Sequence, residues 1–294
     1  MIIFESNGEI PKDVMATAVV SAMKKKYPNE DIVVTTLAPE IWLHNPNVYR
    51  VYNLHSIQYF YDDYIKDKNP TIFKYDPYRE TDFITQKKHV IDIWCNSCKV
   101  DRNNQMPEIH FTEMEKEIAQ NFIDLHAKGK KTCLIQPEGA VNIMPYPTPF
   151  SRNMHKKTVE EVVSHLKKEG YIIFVLTGNE QNDIQDTIPV KLPGFRETLA
   201  TMMFVDKRLL IDSVAHHVAT ALNLPSVITW NTLTPKVQGY EMHNNIYPIA
   251  DTDLITLEDN FVNEFRLTGI LPEQKPTYSK EIHRTEEIIE ALDL

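Results

Sequence analysis

Three loops of this sequence carry residue types that bind phosphates or move protons. The first is Ser6-Asn7-Gly8-Glu9-Ile10-Pro11-Lys12-Asp13, directly after a short apolar run. A carboxylate there, Asp13 or its rival Glu9, suits a general base, because partial burial raises a carboxyl pKa towards neutrality. Lys12 can pair with either acid or with a phosphate. Asp13 also has the composition of a helix N-cap, and the sequence alone does not separate the two roles.

The second loop is Thr177-Gly178-Asn179-Glu180, which follows the apolar residues 174–176. A glycine just past a buried strand lets the backbone approach a ligand closely. An acid at this place, Glu180, can accept hydrogen bonds from ribose hydroxyls. Many strand exits share this composition, so the pattern is weak by itself.

The third and most informative stretch runs from Ile211 to Pro225. Asp212 and Ser213 end a predicted strand and are expected to cap the following helix. The free N–H groups and the dipole of a helix start favour anions, which predicts a diphosphate site there. His217 can donate to a phosphate oxygen, and its structural alternative is a packing residue. No metal site is expected at His216-His217, because adjacent helix positions point about 100° apart.

Alternating strands and helices must position these loops. An apolar strand at the amino end, a helix over 13–26 and a strand over 32–36 form a parallel βαβ unit. Between residues 55 and 107 only 86–100 has a helical pattern. A clear helix follows at 113–128. The second half repeats the alternation, with predicted strands at 132–135, 171–176, 209–211 and 226–230 and predicted helices at 158–168, 213–222 and 281–292.

The chain length and the alternation of predicted strands and helices together predict an α/β fold with two doubly wound, Rossmann-like domains. A chain of 294 residues exceeds the usual single domain. The predicted organisation is an amino-terminal domain over 1–128, a second domain over 129–275 and a carboxyl-terminal helix over 276–294.

Composition describes an ordinary globular protein. Hydrophobic residues make up 42% and charged residues 24%, and no apolar run is as long as a membrane span. The first residues lack the features of a signal peptide, and three cysteines do not make a disulfide framework. We therefore expect a cytoplasmic protein without a membrane span.

Several other chemistries are disfavoured. A net charge of −10 opposes binding to nucleic acid. Cys95 and Cys98 have the spacing of a redox-active pair but end a helical stretch, whereas such a motif should follow a strand. The sequence contains no G-x-G-x-x-G turn, so dinucleotide-dependent oxidoreduction is excluded as a leading hypothesis.

A family resemblance follows from the third stretch. The succession Asp212-Ser213-x-x-x-His217-x-Ala219-x-Ala221-Leu222-x-x-Pro225, then an apolar strand and Thr234-Pro235, resembles the signature of the heptosyltransferase-like glycosyltransferases of family 9. The first half is similar to that family too. There Gly8 precedes an apolar helix, three lysines, Tyr27-Pro28 and a later Asn-Pro-x-Val. Only residues 55–107 lack a counterpart.

The resemblance implies a GT-B fold, in which two Rossmann-like domains face a cleft. It implies a nucleotide-sugar donor in the second domain and inverting transfer that needs neither metal nor cofactor. The acceptor would be a glycan, a lipid-linked compound or another hydroxyl compound. The implied donor-side residues are Arg152, Gly178, Glu180, Phe195, Asp212, Ser213 and His217, and the implied phosphate-side loop residues are Gly8, Lys12 and Gly139.

This sequence also departs from the family pattern. Lys12 stands where the family has its aspartate, and Asp13 follows one residue later. Val214 and Asn231 replace two family glycines, and the chain has only eight glycines in all.

The expected mechanism is a single displacement. Arg152 stabilises the departing nucleotide, and Asp13 or Glu9 takes the acceptor proton. Two alternatives stay open from the sequence: a GT-B-fold sugar-nucleotide epimerase, and a catalytically inactive nucleotide-sugar-binding protein.

Overall fold

Two parallel β-sheets form in the computed structural model of the chain, which describes residues 1–6, 10–139, 152–177, 184–231, 233–249 and 281–293. Contacts divide the chain into two compact units. The first comprises Met1–Phe111 with Thr220–Asn223, and the second comprises Thr112–Ala219 with Leu224–Leu294. Each unit contains one sheet. The domain limits at 128 and 275 stay a prediction.

The first sheet has four strands: β1 (Ile2–Ser6), β2 (Ile32–Thr36), β3 (Arg50–Asn53) and β4 (Thr71–Phe73). Their order is β3-β2-β1-β4, and every pairing is parallel. All five residues of β2 are buried, as in strands covered on both faces. The order reverses between β1 and β4. The carboxyl ends of these strands therefore form a topological switch point, where open α/β sheets bind ligands.

The helices of the first unit are α1 (Ile10–Lys26), α2 (Thr81–Ile84) and α3 (Val90–Ser97), with 3-10 turns at Pro39–Trp42 and Pro77–Arg79 and a π-helical turn at Tyr61–Ile65. The single helix predicted over 86–100 is wrong in its first part. Gln86 has a left-handed φ of 51°, which no continuing helix accommodates. His89 instead caps α3, because its Nδ1 accepts the Ile91 N–H at 3.2 Å.

The second sheet has six parallel strands: β5 (Thr132–Ile135), β6 (Ile172–Val175), β7 (Ile188–Pro189), β8 (Lys207–Ile211), β9 (Val227–Thr229) and β10 (Asn244–Ile246). Their order is β10-β9-β8-β5-β6-β7. This is the strand order of a dinucleotide-binding Rossmann domain, with β5 as its first strand. The switch point lies between β5 and β8, so the residues that follow Ile135 and Ile211 meet there.

The helices of the second unit are α4 (Glu113–Ala127), α5 (Lys156–Lys168), α6 (Phe195–Ala200), α7 (Val214–Ala221), α8 (Pro235–Gln238) and α9 (Thr285–Asp293), with a 3-10 turn at Thr201–Phe204. Strands and helices predicted after residue 112 agree with these to within a few residues. Thr112 and Glu115 form a capping box that begins α4, and left-handed Lys128 ends it. Among the described helices, none is long and apolar enough to cross a membrane. The predicted α/β fold is confirmed.

Candidate functional site

At the switch point of the second sheet, the turn after β8 is hydrogen-bonded to the residue that follows β5. Ser213 follows β8 by two residues, and its hydroxyl donates to Gln136 Oε1 at 2.5 Å. Both side chains are buried. The bond links the carboxyl ends of the two strands between which a Rossmann sheet binds its ligand.

Ser213 also begins α7. Its Oγ accepts the Ala215 N–H at 3.1 Å, which confirms the predicted capping role. Asp212 precedes it, and its buried Oδ1 has no hydrogen-bond partner among the described residues. Because the Ser213 hydroxyl both donates and accepts within the protein, it holds the helix start in place.

The side chain of His216, in the first turn of α7, forms hydrogen bonds with two backbone groups outside the helix. Its Nδ1 accepts the Ser213 N–H at 3.0 Å, and its Nε2 lies 3.2 Å from the Gln238 carbonyl oxygen. An amide can only donate and a carbonyl can only accept, so the ring is neutral with its proton on Nε2. Burial lowers the pKa of His216, which agrees with a neutral ring.

His217 lies against His216 and is only 1% exposed. The two ring centroids are 3.8 Å apart, although adjacent helix positions are expected to point apart. His217 Nδ1 lies 2.8 Å from the Tyr240 hydroxyl. The structure thus brings His217 to the predicted site and gives it a partner that the sequence analysis missed.

Asp212, His216 and His217 have positions compatible with a metal ion. Each offers one ligand atom, and these atoms lie within 4.8 Å of one another. Both nitrogens of His216 already have partners in Ser213 and Gln238. A metal ion here would have to displace one of those hydrogen bonds.

Arg152 brings positive charge to the same place. Its Nε lies 3.7 Å from Asp212 Oδ2, and its Nη1 lies 3.4 Å from the Asp212 carbonyl oxygen. The Arg152 side chain is 31% exposed, so its guanidinium can still meet a ligand. Arginine is well suited to phosphate because its planar fork of donors matches two phosphate oxygens.

Phe195 and Gly139 are the other predicted site residues of the second unit that the structure describes. Phe195 begins α6 and is 36% exposed. The Gly139 N–H donates to Asn153 Oδ1 at 3.0 Å. Gly178 and Glu180, predicted to lie near the ribose, fall outside the described residues.

Asp13 lies in the first turn of α1 and is completely buried. The Thr36 hydroxyl, at the carboxyl end of β2, donates to Asp13 Oδ2. Asp13 Oδ1 has no hydrogen-bond partner among the described residues. Burial raises the pKa of Asp13 from 3.8 to about 7, against the smaller opposing effects of its hydrogen bonds. Such a carboxyl exchanges its proton near neutral pH, as a general base must.

Lys12 is buried beside Asp13 but binds a different acid. Its Nζ donates to Asp76 Oδ1 at 2.9 Å and lies 5.3 Å from the ring centroid of Tyr78 and 5.6 Å from that of Trp94. Asp76 follows β4, so this ion pair lies at the switch point of the first sheet. Gly8 and Glu9, predicted with Lys12, fall outside the described residues.

The Cys95 and Cys98 thiols are buried and unpaired. Burial raises the pKa of Cys95 to about 12 and that of Cys98 still further. Thiolates are therefore scarce at neutral pH, which agrees with the sequence-based argument against a redox role.

Four partners of the site residues were not predicted from the sequence: Thr36, Asp76, Gln136 and Tyr240. Gln136 directly follows β5, so the rule that ligands bind at strand carboxyl ends pointed to it. Tyr240 and Asp76 had no comparable signal, because each reaches its partner from a separate element.

No family model matches the sequence, and no curated protein is similar to it in sequence. Solved structures do match. A glycosyl transferase of family 9 from Veillonella parvula is 14% identical with a TM-score of 0.71, over 99% of this chain and 96% of that one. The chain has the GT-B fold.

Two Escherichia coli proteins share this GT-B fold. ADP-heptose LPS heptosyltransferase II is 12% identical with a TM-score of 0.62, over 89% of this chain and 97% of that one. A heptosyltransferase solved with ADP-2-deoxy-2-fluoro heptose is 10% identical with a TM-score of 0.56, over 90% and 99% of the two chains. The fold implied by the family resemblance is therefore confirmed.

Proposed function

We propose that this chain is a glycosyltransferase that moves a sugar from a nucleoside-diphosphate donor to an acceptor hydroxyl. The observation that carries the proposal is the start of α7, a capped helix N-terminus at the switch point of a Rossmann sheet with Arg152 beside it. The solved structures that share the fold over most of their length support it. Two are heptosyltransferases by name, and one of these holds an ADP-heptose analogue.

On the donor side, the diphosphate would lie at the start of α7. The α7 dipole and the Arg152 guanidinium would stabilise the negative charge that develops on the leaving nucleotide. Because the α7 dipole and Arg152 would supply positive charge to the leaving group, we propose that transfer needs no metal ion. Phe195 would lie beside the nucleobase, Glu180 would bind the ribose, and Gly139 and Gly178 would allow close backbone approach.

On the acceptor side, Asp13 would be the general base, with Glu9 as its alternative. The acceptor oxygen attacks the anomeric carbon, and the bond from that carbon to the diphosphate oxygen breaks. The nucleoside diphosphate leaves with the electron pair, and the hydroxyl proton passes to the carboxylate. A single displacement of this kind inverts the anomeric configuration.

The acceptor would be a glycan, a lipid-linked compound or another hydroxyl compound, as in the family that the sequence resembles. We also propose a cytoplasmic location, which agrees with three unpaired cysteines.

The test is acceptor-dependent release of nucleoside diphosphate from ADP-, UDP- and GDP-linked sugars, with glycan and lipid-linked acceptors. Asp13→Asn should lower kcat by at least about 100-fold, since a positioned base contributes that much. Exposed Asp31→Asn in the same unit is the matched control and should keep full activity. Full activity in both Asp13→Asn and Glu9→Gln, with folding unchanged, would remove both candidate bases.

A further inference from the structure

Tyr240 is buried beside the helix start and has no role in the function proposed above. It is 5% exposed, and its hydroxyl lies 2.8 Å from His217 Nδ1. Its ring meets the His217 ring edge-on at 90°, with the centroids 5.7 Å apart. A buried tyrosine hydroxyl normally has a hydrogen-bond partner, and His217 Nδ1 is such a partner here.

The backbone turn at Gly239, directly before Tyr240, places Tyr240 in this position. Helix α8 ends at Gln238 and is followed by the C-cap Gly239, whose N–H donates to the Pro235 carbonyl at 2.7 Å. A Cβ on Gly239 would meet Pro235 atoms at 2.5–2.7 Å, so the turn has no room for a side chain. The same turn presents the Gln238 carbonyl to His216 Nε2. Consecutive contacts from α8 therefore orient both histidines of α7.

The two histidines differ in what fixes their protons. His216 lies between a backbone N–H and a backbone carbonyl, so its tautomer is determined by partners with one role each. Tyrosine can donate or accept, so the Tyr240 hydroxyl can select either tautomer of His217. When the hydroxyl donates to Nδ1, the proton of His217 is on Nε2. Phosphate oxygens only accept, so this tautomer is the one that can donate to a diphosphate.

We propose that Tyr240 is a positioning residue for donor binding: its hydroxyl donates to His217 Nδ1 and thereby holds His217 as the Nε2–H tautomer that donates to the donor diphosphate. This inference rests on the proposed function and assigns a residue to its donor site. Tyr240 acts through His217 and need not touch the donor.

The experiment combines a tautomer measurement with a binding measurement. In protein labelled with 15N-histidine, two-bond 1H–15N correlations distinguish the two neutral tautomers, and His217→Gln assigns the His217 signals. The expected spectrum of the unmodified protein has the proton on Nε2. Tyr240→Phe keeps the ring but loses the hydroxyl, and it should shift the His217 nitrogen signals towards a mixture of tautomers.

Binding is measured by calorimetry with ADP, UDP, GDP and CDP. For the nucleotide that binds, Tyr240→Phe should raise Kd by about 3- to 10-fold, the effect of one lost hydrogen bond. Tyr247→Phe, with a ring that is 58% exposed, is the control and should change neither measurement. The thermal unfolding midpoint of Tyr240→Phe verifies that the variant is folded.

The outcomes separate the two levels of the proposal. If none of the four nucleotides binds the unmodified protein, the proposed function fails, and this inference fails with it. If one binds but Tyr240→Phe changes neither its Kd nor the His217 signals, only the inference is overturned. A proton on His217 Nδ1 in the unmodified protein would also overturn it.

Discussion

At the scale of single residues, the environment of Asp13 disfavours the charged form of its carboxyl group. Asp13 is completely buried, and its Oδ2 accepts a hydrogen bond from the Thr36 hydroxyl. A buried carboxylate loses hydration that one or two hydrogen bonds do not replace. The raised pKa of Asp13 is therefore expected to make the folded protein sensitive to pH.

The sign of that sensitivity follows from the pKa. The Asp13 pKa is about 7 in the folded protein and 3.8 ordinarily, so the folded state holds the proton more tightly. Its contribution to stability is complete below about pH 4 and is lost as pH rises through about 7, by up to about 4 kcal/mol. Asp13→Asn should remove this part of the dependence of stability on pH.

Urea unfolding of both proteins at pH 5 and pH 8 measures the difference. The free energy of unfolding of Asp13→Asn relative to the unmodified protein should increase from pH 5 to pH 8. Equal pH dependence in the two proteins would show that Asp13 is not the buried acid described here.

At the scale of elements, α7 depends on contacts from three other parts of the second unit. Gln136 follows β5, Gln238 ends α8, and Arg152 precedes α5. Ser213 links the helix to this group, because one hydroxyl serves both the cap and the bond to Gln136.

Ser213→Ala should lower the free energy of unfolding of the second unit by about 2–4 kcal/mol, the sum of a lost cap and a lost buried partner. Ser164→Ala, at an exposed position of α5 in the same unit, is the control and should change it by less than about 0.5 kcal/mol. Urea titration followed by circular dichroism measures both. A Ser213→Ala protein as stable as the control would contradict the capping role.

The elements also show where sequence reasoning succeeds. Helix α7 was predictable because Asp-Ser, small residues and a following proline are local signals of a capped helix. The segment before α3 was not predictable, because left-handed Gln86 and the His89 cap leave no periodic pattern. Contacts such as Tyr240 with His217 join separate elements, so no local pattern indicated them.

At the scale of the whole molecule, each unit repeats one topological plan. Both sheets reverse their strand order once, between β1 and β4 in the first and between β5 and β8 in the second. Each reversal collects polar side chains at strand carboxyl ends: Asp76 with Lys12 in the first unit, and Gln136 with Ser213 in the second. This plan was predictable from the alternation of strands and helices, whereas the pairs of side chains were not.

We propose that the second unit binds a nucleotide sugar at the start of α7. A thermal-shift series with ADP-, UDP-, GDP- and CMP-linked sugars tests it most directly. At least one donor should raise the unfolding temperature, since a ligand at about 100 times its Kd adds about 2.7 kcal/mol. Arg152→Met should lose most of this shift, and Arg284→Met, which removes an exposed arginine of the same unit, should keep it. No shift with any of the four donors would contradict the claim.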